Sequence, residues 1–281
     1  MKNERSGGCL ILVSTPIGNI DDLSPRVRQA LESTKHVVAE DTRVYKELMK
    51  QIGLTFDSAT IHAFHDHNQS ALTKPLEWLS EGHNVLIVSD AGSPLISDPA
   101  YPLVKEVLNQ GYALETLPGP SAVLVALELS GLPPHPFTFH GFLPRESSKR
   151  KNFFEATKSQ SSTHIVFEAP HRILATLEDL CAVVEADSDV VIARELTKTF
   201  QSVHRFKAGD LDTIKDDLVV KGEFVLLFHH QKTQTTLTDN ETRQLAQKVL
   251  DKPSTKQTAK LLAKILDLDT KETYERLSQR N

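Results

Sequence analysis

The sequence predicts an α/β protein that has two α/β domains and a small helical C-terminal segment. Short apolar segments typical of buried strands alternate with segments that have the apolar spacing of helices. This alternation favours layered, largely parallel sheets. The proline-rich stretch 132–145 interrupts the pattern, which then starts again. We therefore predict domains at 9–132 and 136–231 and a helical segment at 238–281.

The first half of the chain predicts strands and helices in strict alternation. Ser24 and Pro25 begin the first helix, because serine caps helix N-termini and proline fits the first helical position. Gly111 ends a later helix. The strands are predicted at 9–15, 36–43, 60–64, 84–90 and 112–119. The other helices are predicted at 45–51, 71–82, 98–111 and 120–131.

The second half repeats the alternation after the proline-rich stretch. Strands are predicted at 163–169, 189–196, 203–207 and 222–230. Helices are predicted at 148–158, 171–185 and 210–219. The polar stretch 231–240 is a second linker, and 241–281 predicts two or three short helices.

Polar turns follow the predicted strands in both halves. They read "STPIGN", "AEDTR", "SDAGSP", "LPGPSA", "FEAPHR" and "ARELTK". Parallel sheets bind ligands at the carboxyl ends of their strands. We therefore expect these turns to converge on one cleft, where Gly18, Gly92 and Gly119 allow tight turns and a close approach of the backbone.

Composition indicates a soluble, cytoplasmic protein. No apolar run approaches the roughly 18 residues of a membrane span. Cys9 and Cys181 fall in a predicted strand and a predicted helix, which favours reduced structural thiols. The net charge of −5 excludes a global basic field that would attract nucleic acid. The stretch 145–151 is locally basic, which fits an RNA contact or a solvated loop.

Several chemistries have no matching motif in the chain. Dinucleotide-binding, P-loop and nucleophile-elbow glycine patterns are all missing from the sequence. His62, His65 and His67 are the best metal candidates. Zinc needs three or four convergent ligands, whereas two of these histidines lie in a predicted loop with no cysteine nearby. We predict no metal site.

Nine stretches together carry a family resemblance. They read "STPIGNIDDLSPR", "AEDTR", "FHDHNQ", "SDAGSPLISDPAYPLV", "LPGPSA", "FHGFLPR", "FEAPHR", "ARELTK" and "KGEFVLL". In this order and spacing they closely resemble the ribosomal RNA small-subunit methyltransferase I family, the RNA-modifying branch of the tetrapyrrole-methylase superfamily. The resemblance covers about 9–230, and the tail is similar to the family's helix-turn-helix-like segment. The chain departs from the family pattern at Asp66, Gln69 and Thr199-Phe200-Gln201.

The resemblance implies a fold and an activity. It implies two α/β domains of the tetrapyrrole-methylase type, with S-adenosylmethionine in the cleft between them. It also implies a homodimer, and the lack of a long apolar run predicts no membrane partner. The implied reaction transfers a methyl group to the ribose 2′-oxygen of a cytidine in the decoding centre of 16S ribosomal RNA. The 30S subunit is the expected substrate, and naked RNA stays open as the alternative.

The superfamily's binding loops imply ten cofactor contacts. They are Pro16, Gly18, Asp90, Ala91, Gly92, Pro94, Ser121, Ala122, Phe167 and Glu168. Ser121 and Ala122 lie at a helix start, where backbone N–H groups bind carboxylates. For Asp90, a turn-capping role stays open beside a role in binding a ligand hydroxyl or amine.

Catalytic roles are predicted at two strand ends of the second domain. A ribose hydroxyl is a weak nucleophile, so a base and a nearby cation help its attack. Glu195 and Lys198 are the candidates for those roles, and Arg172 is the candidate for the adjacent phosphate. A structural ion pair is the alternative for Glu195 and Lys198. Glu168 and His171 are the next candidates for the base.

Two other functions stay open from the sequence. One is a small-molecule methylase of the same superfamily, against which the basic 145–151 loop and the helical tail weigh. The other is a non-catalytic RNA-binding protein, against which the clustered turns at strand ends weigh.

Overall fold

The chain divides into two compact units, Met1–Gln231 and Lys232–Asn281. The structure is a computed structural model that describes residues 7–55, 60–64, 70–97, 100–230, 254–266 and 269–278. The first unit contains two five-stranded sheets. The predicted domain limits stay a prediction.

The first sheet consists of parallel strands in the order β3-β2-β4-β1-β5. Its strands are β1 (Cys9–Val13), β2 (His36–Ala39), β3 (Thr60–Ala63), β4 (Val85–Val88) and β5 (Ala113–Leu117). Every residue of the central β4 is buried, as expected for a parallel strand covered on both faces. The chain leaves β1 towards β2 and leaves β4 towards β5, so the connections from these adjacent strands run to opposite sides. Such a switch point opens a crevice at the strand ends.

The helices of the first half confirm the predicted alternation. They are α1 (Pro25–Ser33), α2 (Thr42–Gln51), α3 (Ser70–Ser80), α4 (Tyr101–Asn109) and α5 (Ala122–Ser130). The Ser24 side chain accepts a hydrogen bond from the Val27 N–H at 3.2 Å, as an N-cap does. The predicted start of α4 at 98–99 lies outside the described residues.

The second sheet has the order β6-β7-β10-β8-β9. Its strands are β6 (Phe137–Phe142), β7 (Thr163–Glu168), β8 (Asp189–Arg194), β9 (Ser202–Lys207) and β10 (Phe224–His229). Only β6 and β7 pair in parallel here; the other described pairs are antiparallel. The prediction of a largely parallel sheet is therefore wrong for this half. The short connection 195–201 returns the chain directly beside β8, which makes an antiparallel pair.

Strand β6 lies inside the stretch 132–145, which the sequence predicts only as a boundary. The prolines of this stretch flank the strand and do not interrupt it. β6 is an edge strand, and its register with β7 is irregular between Phe139 and Phe142. Edge strands tolerate flanking prolines and irregular register better than central strands do.

Helices cover both faces of the second sheet. The remaining helices of this unit are α6 (Ser147–Thr157), α7 (Ile173–Cys181) and α8 (Leu211–Lys215). On one face, Phe154 of α6 and Leu177 of α7 are buried in a core that they share with residues of the sheet. The other face packs against α5, whose Val123, Ala126 and Leu127 join a core with strand residues of β7, β8 and β10. A helix from the first half of the chain therefore covers the second sheet.

The second unit contains two described helices, α9 (Thr255–Leu266) and α10 (Thr270–Ser278). They contact each other, and Ala259 and Ala263 are buried. Two of the predicted tail helices are thus present, and 231–253 lies outside the described residues. Among the described residues, no helix has both the length and the apolar character needed to cross a membrane.

A cluster of histidines lies beneath the second sheet, away from the strand ends that carry the polar turns. His164 has no exposed surface, and its Nδ1 lies 2.9 Å from Nε2 of His140. Its ring stacks on Phe228 at 5.1 Å and contacts the ring of His230. Burial, together with the positive charges that His140, His230 and His229 would carry, lowers the pKa of His164 to about 4.

This cluster predicts a loss of stability in mild acid. Because the folded-state pKa of His164 is lowered, the unfolded chain binds more protons between about pH 6.5 and 4. The free energy of unfolding is expected to fall by roughly 2–3 kcal/mol as the pH drops through this window. Above the window, the contribution of the neutral His164 to stability is complete. Melting temperatures measured against pH test this. His164→Phe is expected to flatten the profile, and identical profiles for wild type and His164→Phe contradict the assignment.

Candidate functional site

One cavity of about 490 Å³ lies at the strand ends, and all six of the predicted polar turns line it. Each turn contributes at least one residue, from Ile17 in the first to Leu196 in the last. The cavity size is typical of a small-ligand or cofactor site. The geometric prediction of a single cleft is therefore confirmed.

Backbone pairing joins the turns that follow β1 and β4. The N–H of Thr15 donates to the carbonyl of Gly92 at 2.9 Å, and the Gly92 N–H donates back at 3.1 Å. The buried Ser89 hydroxyl also donates to the Gly92 carbonyl, at 2.7 Å. These bonds fix the loop 90–93 along the cavity wall.

Glycines are required where the loops approach each other. Gly92 has a φ of 77°, and a Cβ there would lie 3.3 Å from Cγ2 of Ile17. A Cβ on Gly119 would lie 2.9 Å from Cβ of Ser14, closer than real side chains come. Both positions therefore accept only glycine without a shift of the adjacent loop.

Two acidic residues of the first sheet face the cavity. Glu40 and Asp90 both line it. Asp90 Oδ1 accepts a hydrogen bond from the Asp41 N–H at 3.0 Å, so Asp90 caps this turn as well as lining the cavity. Burial and the negative charge of Asp41 raise the pKa of Asp90. A carboxylate with a raised pKa in a cleft is suited to bind a polar ligand group.

The turn after β8 holds a strained backbone. Glu195 and Thr197 have positive φ values of 50° and 64°, which are uncommon for residues other than glycine and most unfavourable for a β-branched residue. The N–H of Thr197 donates to the Gln201 side chain at 2.7 Å, and the Thr197 hydroxyl accepts from the Asn19 N–H at 3.1 Å. These bonds hold Leu196 in the cavity wall.

Glu195 and Lys198 form an ion pair beside the cavity. Lys198 Nζ lies 3.0 Å from Glu195 Oε1 and 2.9 Å from Glu223 Oε2. The Glu223 N–H donates to Glu195 Oε1 at 2.9 Å. Of these three residues only Glu223 lines the cavity, and 74% of its side chain is exposed. The Glu195–Lys198 pair therefore contacts the cavity lining at Glu223 and does not line the cavity itself.

The protonation of this ion pair follows from its contacts. Burial alone raises the pKa of Glu195, but the Glu223 N–H and the Lys198 ammonium outweigh it, so that pKa lies below its usual value. Burial likewise lowers the pKa of Lys198, and the two carboxylates outweigh it, so that pKa is raised. Both groups therefore stay charged at neutral pH.

Gly18 lies against this same turn. A Cβ on Gly18 would overlap Cγ of Lys198 and would lie 2.7 Å from the Thr197 hydroxyl and 2.8 Å from the Leu196 carbonyl. The glycine thus removes a side chain where a neighbouring backbone passes, as expected from its turn. The contact brings the first and last polar turns together.

Glu168 and Arg172 are heavily engaged within the protein. The Glu168 carboxylate is fully buried and accepts hydrogen bonds from the Ala169 N–H at 2.8 Å and the Thr176 hydroxyl at 2.7 Å. Arg172 Nε lies 3.2 Å from Glu168 Oε1, an ion-pair contact without hydrogen-bond alignment. Its Nη2 donates to the carbonyls of Leu143 and Pro144, each at 2.9 Å.

Most of the predicted cofactor contacts line the cavity. The residues that do so are Asp90, Ala91, Gly92, Ser121, Ala122, Phe167 and Glu168. Pro16, Gly18 and Pro94 lie outside the lining: Pro94 faces a smaller neighbouring cavity, and Gly18 packs on Lys198. Glu195, Lys198 and Arg172 also lie outside it. Their roles stay predictions.

Sequence reasoning missed more than half of the lining. The missed residues are Ile17, Glu40, Ile96, Ser97, Phe142, Ala169, Pro170, Leu196, Gly222, Glu223, Phe224 and Val225. Glu40 and Leu196 carry a usable signal, because each lies inside a polar turn already singled out. The segment 222–225 lies in the family stretch "KGEFVLL" but does not follow a predicted strand, and its antiparallel pairing with β7 and β8 brings it to the cleft.

The described residues contain no group of three or more potential metal ligands. His62 is described, and it contacts the edge of the Trp78 ring. His65 and His67 lie outside the described residues, so the metal prediction for this trio is untested.

Comparison with known proteins identifies the fold and the relatives. The family model for tetrapyrrole (corrin/porphyrin) methylases matches residues 9–212. A ribosomal RNA small subunit methyltransferase I from Escherichia coli O157:H7 is 40% identical over 82% of this chain and 81% of its own length. One from Vibrio cholerae is 39% identical over 94% of this chain and 92% of its own length.

A solved structure shares the fold at low identity. The uroporphyrin-III C-methyltransferase from Thermus thermophilus, complexed with S-adenosyl homocysteine, superposes with a TM-score of 0.54 at 13% identity. The match covers 79% of this chain and 97% of that one.

The loop geometry predicts the effect of Gly92→Val on the binding of S-adenosylmethionine. A branched side chain at this φ costs about 1–2 kcal/mol and presses on Ile17, so the loop 90–93 shifts along the cavity wall. Donor affinity measured by calorimetry is expected to fall about tenfold or more. The matched control is Gly111→Val, which has a similar φ of 78° and nothing within 4 Å of the new Cβ. Equal donor affinity in two folded variants contradicts a cofactor site at this loop.

Proposed function

The chain belongs to the tetrapyrrole (corrin/porphyrin) methylases and, among them, to the ribosomal RNA small subunit methyltransferase I family, and we propose that it 2′-O-methylates the ribose of a cytidine in the decoding centre of 16S ribosomal RNA. It is an S-adenosylmethionine-dependent methyltransferase. The observation that carries the proposal is the single cavity lined by all six polar turns. We also propose that the enzyme is a cytoplasmic homodimer that acts on the 30S subunit, as the sequence resemblance implies.

The residues present fit S-adenosylmethionine. Ile17, Leu196 and Phe167 offer apolar surface for an aromatic base. Asp90 and Glu40 offer carboxylates for ribose hydroxyls or an ammonium group. The glycine at 92 leaves space beside the backbone of the loop. When bound, the cofactor supplies an electrophilic methyl group, and the protein supplies orientation and electrostatics.

The second sheet presents the groups proposed to act on the ribose. Lys198 is held between Glu195 and Glu223 at the cavity edge, where its positive charge favours the negative charge that develops on the attacking oxygen. Glu195 anchors Lys198 and the backbone of Glu223 through its two contacts. A carboxylate of this group takes the hydroxyl proton directly or through water. Arg172 is proposed to support the adjacent phosphate.

A methyl-transfer assay tests the proposed function. The enzyme and labelled S-adenosylmethionine are incubated with one substrate at a time. The three substrates are 30S subunits lacking the modification, naked 16S ribosomal RNA and a tetrapyrrole precursor. Label is expected on the ribose of one cytidine in the RNA, located by nuclease mapping. Transfer only to the tetrapyrrole supports a small-molecule methylase, and RNA binding without transfer supports a non-catalytic protein. Either result contradicts the proposal.

Single-turnover rates test the roles of Lys198 and Glu195. Lys198→Ala and Glu195→Gln are expected to lower the rate of methylation, by about 10²–10⁴-fold if the group takes part in proton transfer. Donor affinity is expected to change little, because neither side chain lines the cavity. Lys207→Ala is the matched control, since it breaks an exposed ion pair with Asp189 on the same sheet. Near-normal rates in both test variants make the pair structural and direct the search for the base to Glu168 or His171.

A further inference from the structure

We propose that a second cavity, beside the donor cavity, binds an RNA phosphate through Arg145 and His171. This Arg145 cavity has a volume of about 650 Å³ and is lined by Phe142, Leu143, Arg145, Ala169, His171 and Arg172. The inference rests on the proposed function, because it assigns the place where the RNA backbone lies during methyl transfer.

The two cavities adjoin each other. Phe142 and Ala169 line both of them. An RNA strand with one ribose at the mouth of the donor cavity therefore places a neighbouring phosphate near the Arg145 cavity. Three of the residues that line the Arg145 cavity are basic, and none is acidic. Its chemistry suits a phosphodiester and not a cation.

Two of the basic residues in this region are committed to the protein itself. Arg172 Nη2 donates to the carbonyls of Leu143 and Pro144, and Arg150 Nη1 donates to the carbonyl of Arg145 at 2.7 Å. The side chains of Arg150 and Arg172 are 6% and 18% exposed. They clamp the backbone of the loop 143–145 from within.

A buried acid anchors the clamp. Asp179 Oδ2 accepts from Arg150 Nε at 2.8 Å, and Asp179 Oδ1 accepts from the Ser147 hydroxyl at 2.7 Å. Burial alone raises the pKa of Asp179, and these hydrogen bonds outweigh it, so the pKa is lowered and the carboxylate stays ionised. The loop 143–145 is therefore fixed relative to α6 and α7.

Arg145 itself is presented to the outside by this fixed loop. Its side chain is exposed and makes no hydrogen bond or ion pair with the described residues. The acid next to it, Glu146, is paired with Lys149 at 2.9 Å. The side chain of His171 is likewise exposed and without a partner among the residues that the structure describes.

These two free side chains offer hydrogen-bond donors that a phosphate can accept from. A guanidinium offers a planar fork of donors that fits phosphate oxygens, and an imidazole adds an N–H donor. Helix α7 begins at Ile173, directly after His171 and Arg172, so its positive end adds to the favourable field. A site with a preorganised loop and unpaired donors is built to receive an anionic oxygen.

RNA affinity measured against salt tests the site. The probes are unmodified 30S subunits and naked 16S ribosomal RNA. Arg145→Gln is expected to weaken binding about tenfold and to lower the slope of log affinity against log salt by about 1. Donor binding by calorimetry and kcat are expected to stay near wild type, while KM for the RNA rises. His171→Gln is expected to weaken RNA binding in the same direction with a smaller effect.

Lys149→Gln is the matched control, because it removes the same charge from the same segment. Lys149 is paired with Glu146 and does not line the Arg145 cavity. The inference is overturned if Arg145→Gln and Lys149→Gln lose the same RNA affinity and show the same slope of log affinity against log salt. A wild type that methylates RNA normally while these two variants behave alike leaves the proposed function standing. A wild type that methylates no RNA contradicts the proposed function, and this inference falls with it.

Arg172→Ala separates positioning from direct contact. Because Arg172 holds two carbonyls of the loop, its removal is expected to weaken RNA binding and also to speed hydrogen exchange across 143–149. Arg145→Gln is expected to weaken binding with no change in exchange. If Arg172→Ala weakens RNA binding but hydrogen exchange across 143–149 stays as slow as in wild type, Arg172 contacts the phosphate directly. That result contradicts its role in holding the loop 143–145.

Discussion

The packing of α5 on the second sheet is the contact on which the site depends. Val123, Ala126 and Leu127 of this helix share one buried core with Ile165 and Val191 of the sheet. Apolar burial of this kind is the main favourable term in folding. Because α5 directly follows the fifth strand of the first sheet, its packing brings carboxyl ends of strands in the first sheet to the same cavity as the carboxyl ends of β7 and β8 and the amino end of β10.

Short-range bonds then set the shape of the cavity within the frame that α5 provides. Gly92 and Thr15 pair their backbones across two turns of the first sheet. Thr197 accepts from the backbone of Asn19, which joins the last turn to the first. The positive φ of Thr197 is a local cost, and the surrounding hydrogen bonds maintain it. Strain of this kind is common where a loop must hold side chains in one arrangement before a ligand arrives.

Burial separates the charged residues into those that build the site and those left for a ligand. Arg150 and Asp179 pair in the interior, and removing one partner would leave the other charge uncompensated. Arg172 is bound to carbonyls and to Glu168. Arg145, by contrast, is exposed on a loop that the buried arginines fix. Residues with the same charge, close in sequence, thus have opposite roles, and motif position alone does not distinguish them.

The sequence by itself determined the alternation of strands and helices, the six polar turns and the family, because these depend on local spacing and on long matching stretches. It also predicted that the turns converge, since parallel strands end at one edge. It did not predict the antiparallel pairing of the second sheet, which brings Gly222 and Glu223 into the cavity. Strand β6 was hidden by its flanking prolines.

Only the tertiary structure decided which charged residues are free. Glu195 and Lys198 are adjacent to the cavity but bind each other and Glu223, and Arg172 binds the backbone of a loop 28 residues away in sequence. The Glu195–Lys198 pair spans three residues and is open to sequence reasoning, whereas the contacts with Glu223 and with the loop join segments that are far apart in the chain, so no local pattern encodes those. The sequence supplied the chemical groups, and long-range packing set their distances, exposure and pKa values, because those quantities depend on neighbours in space.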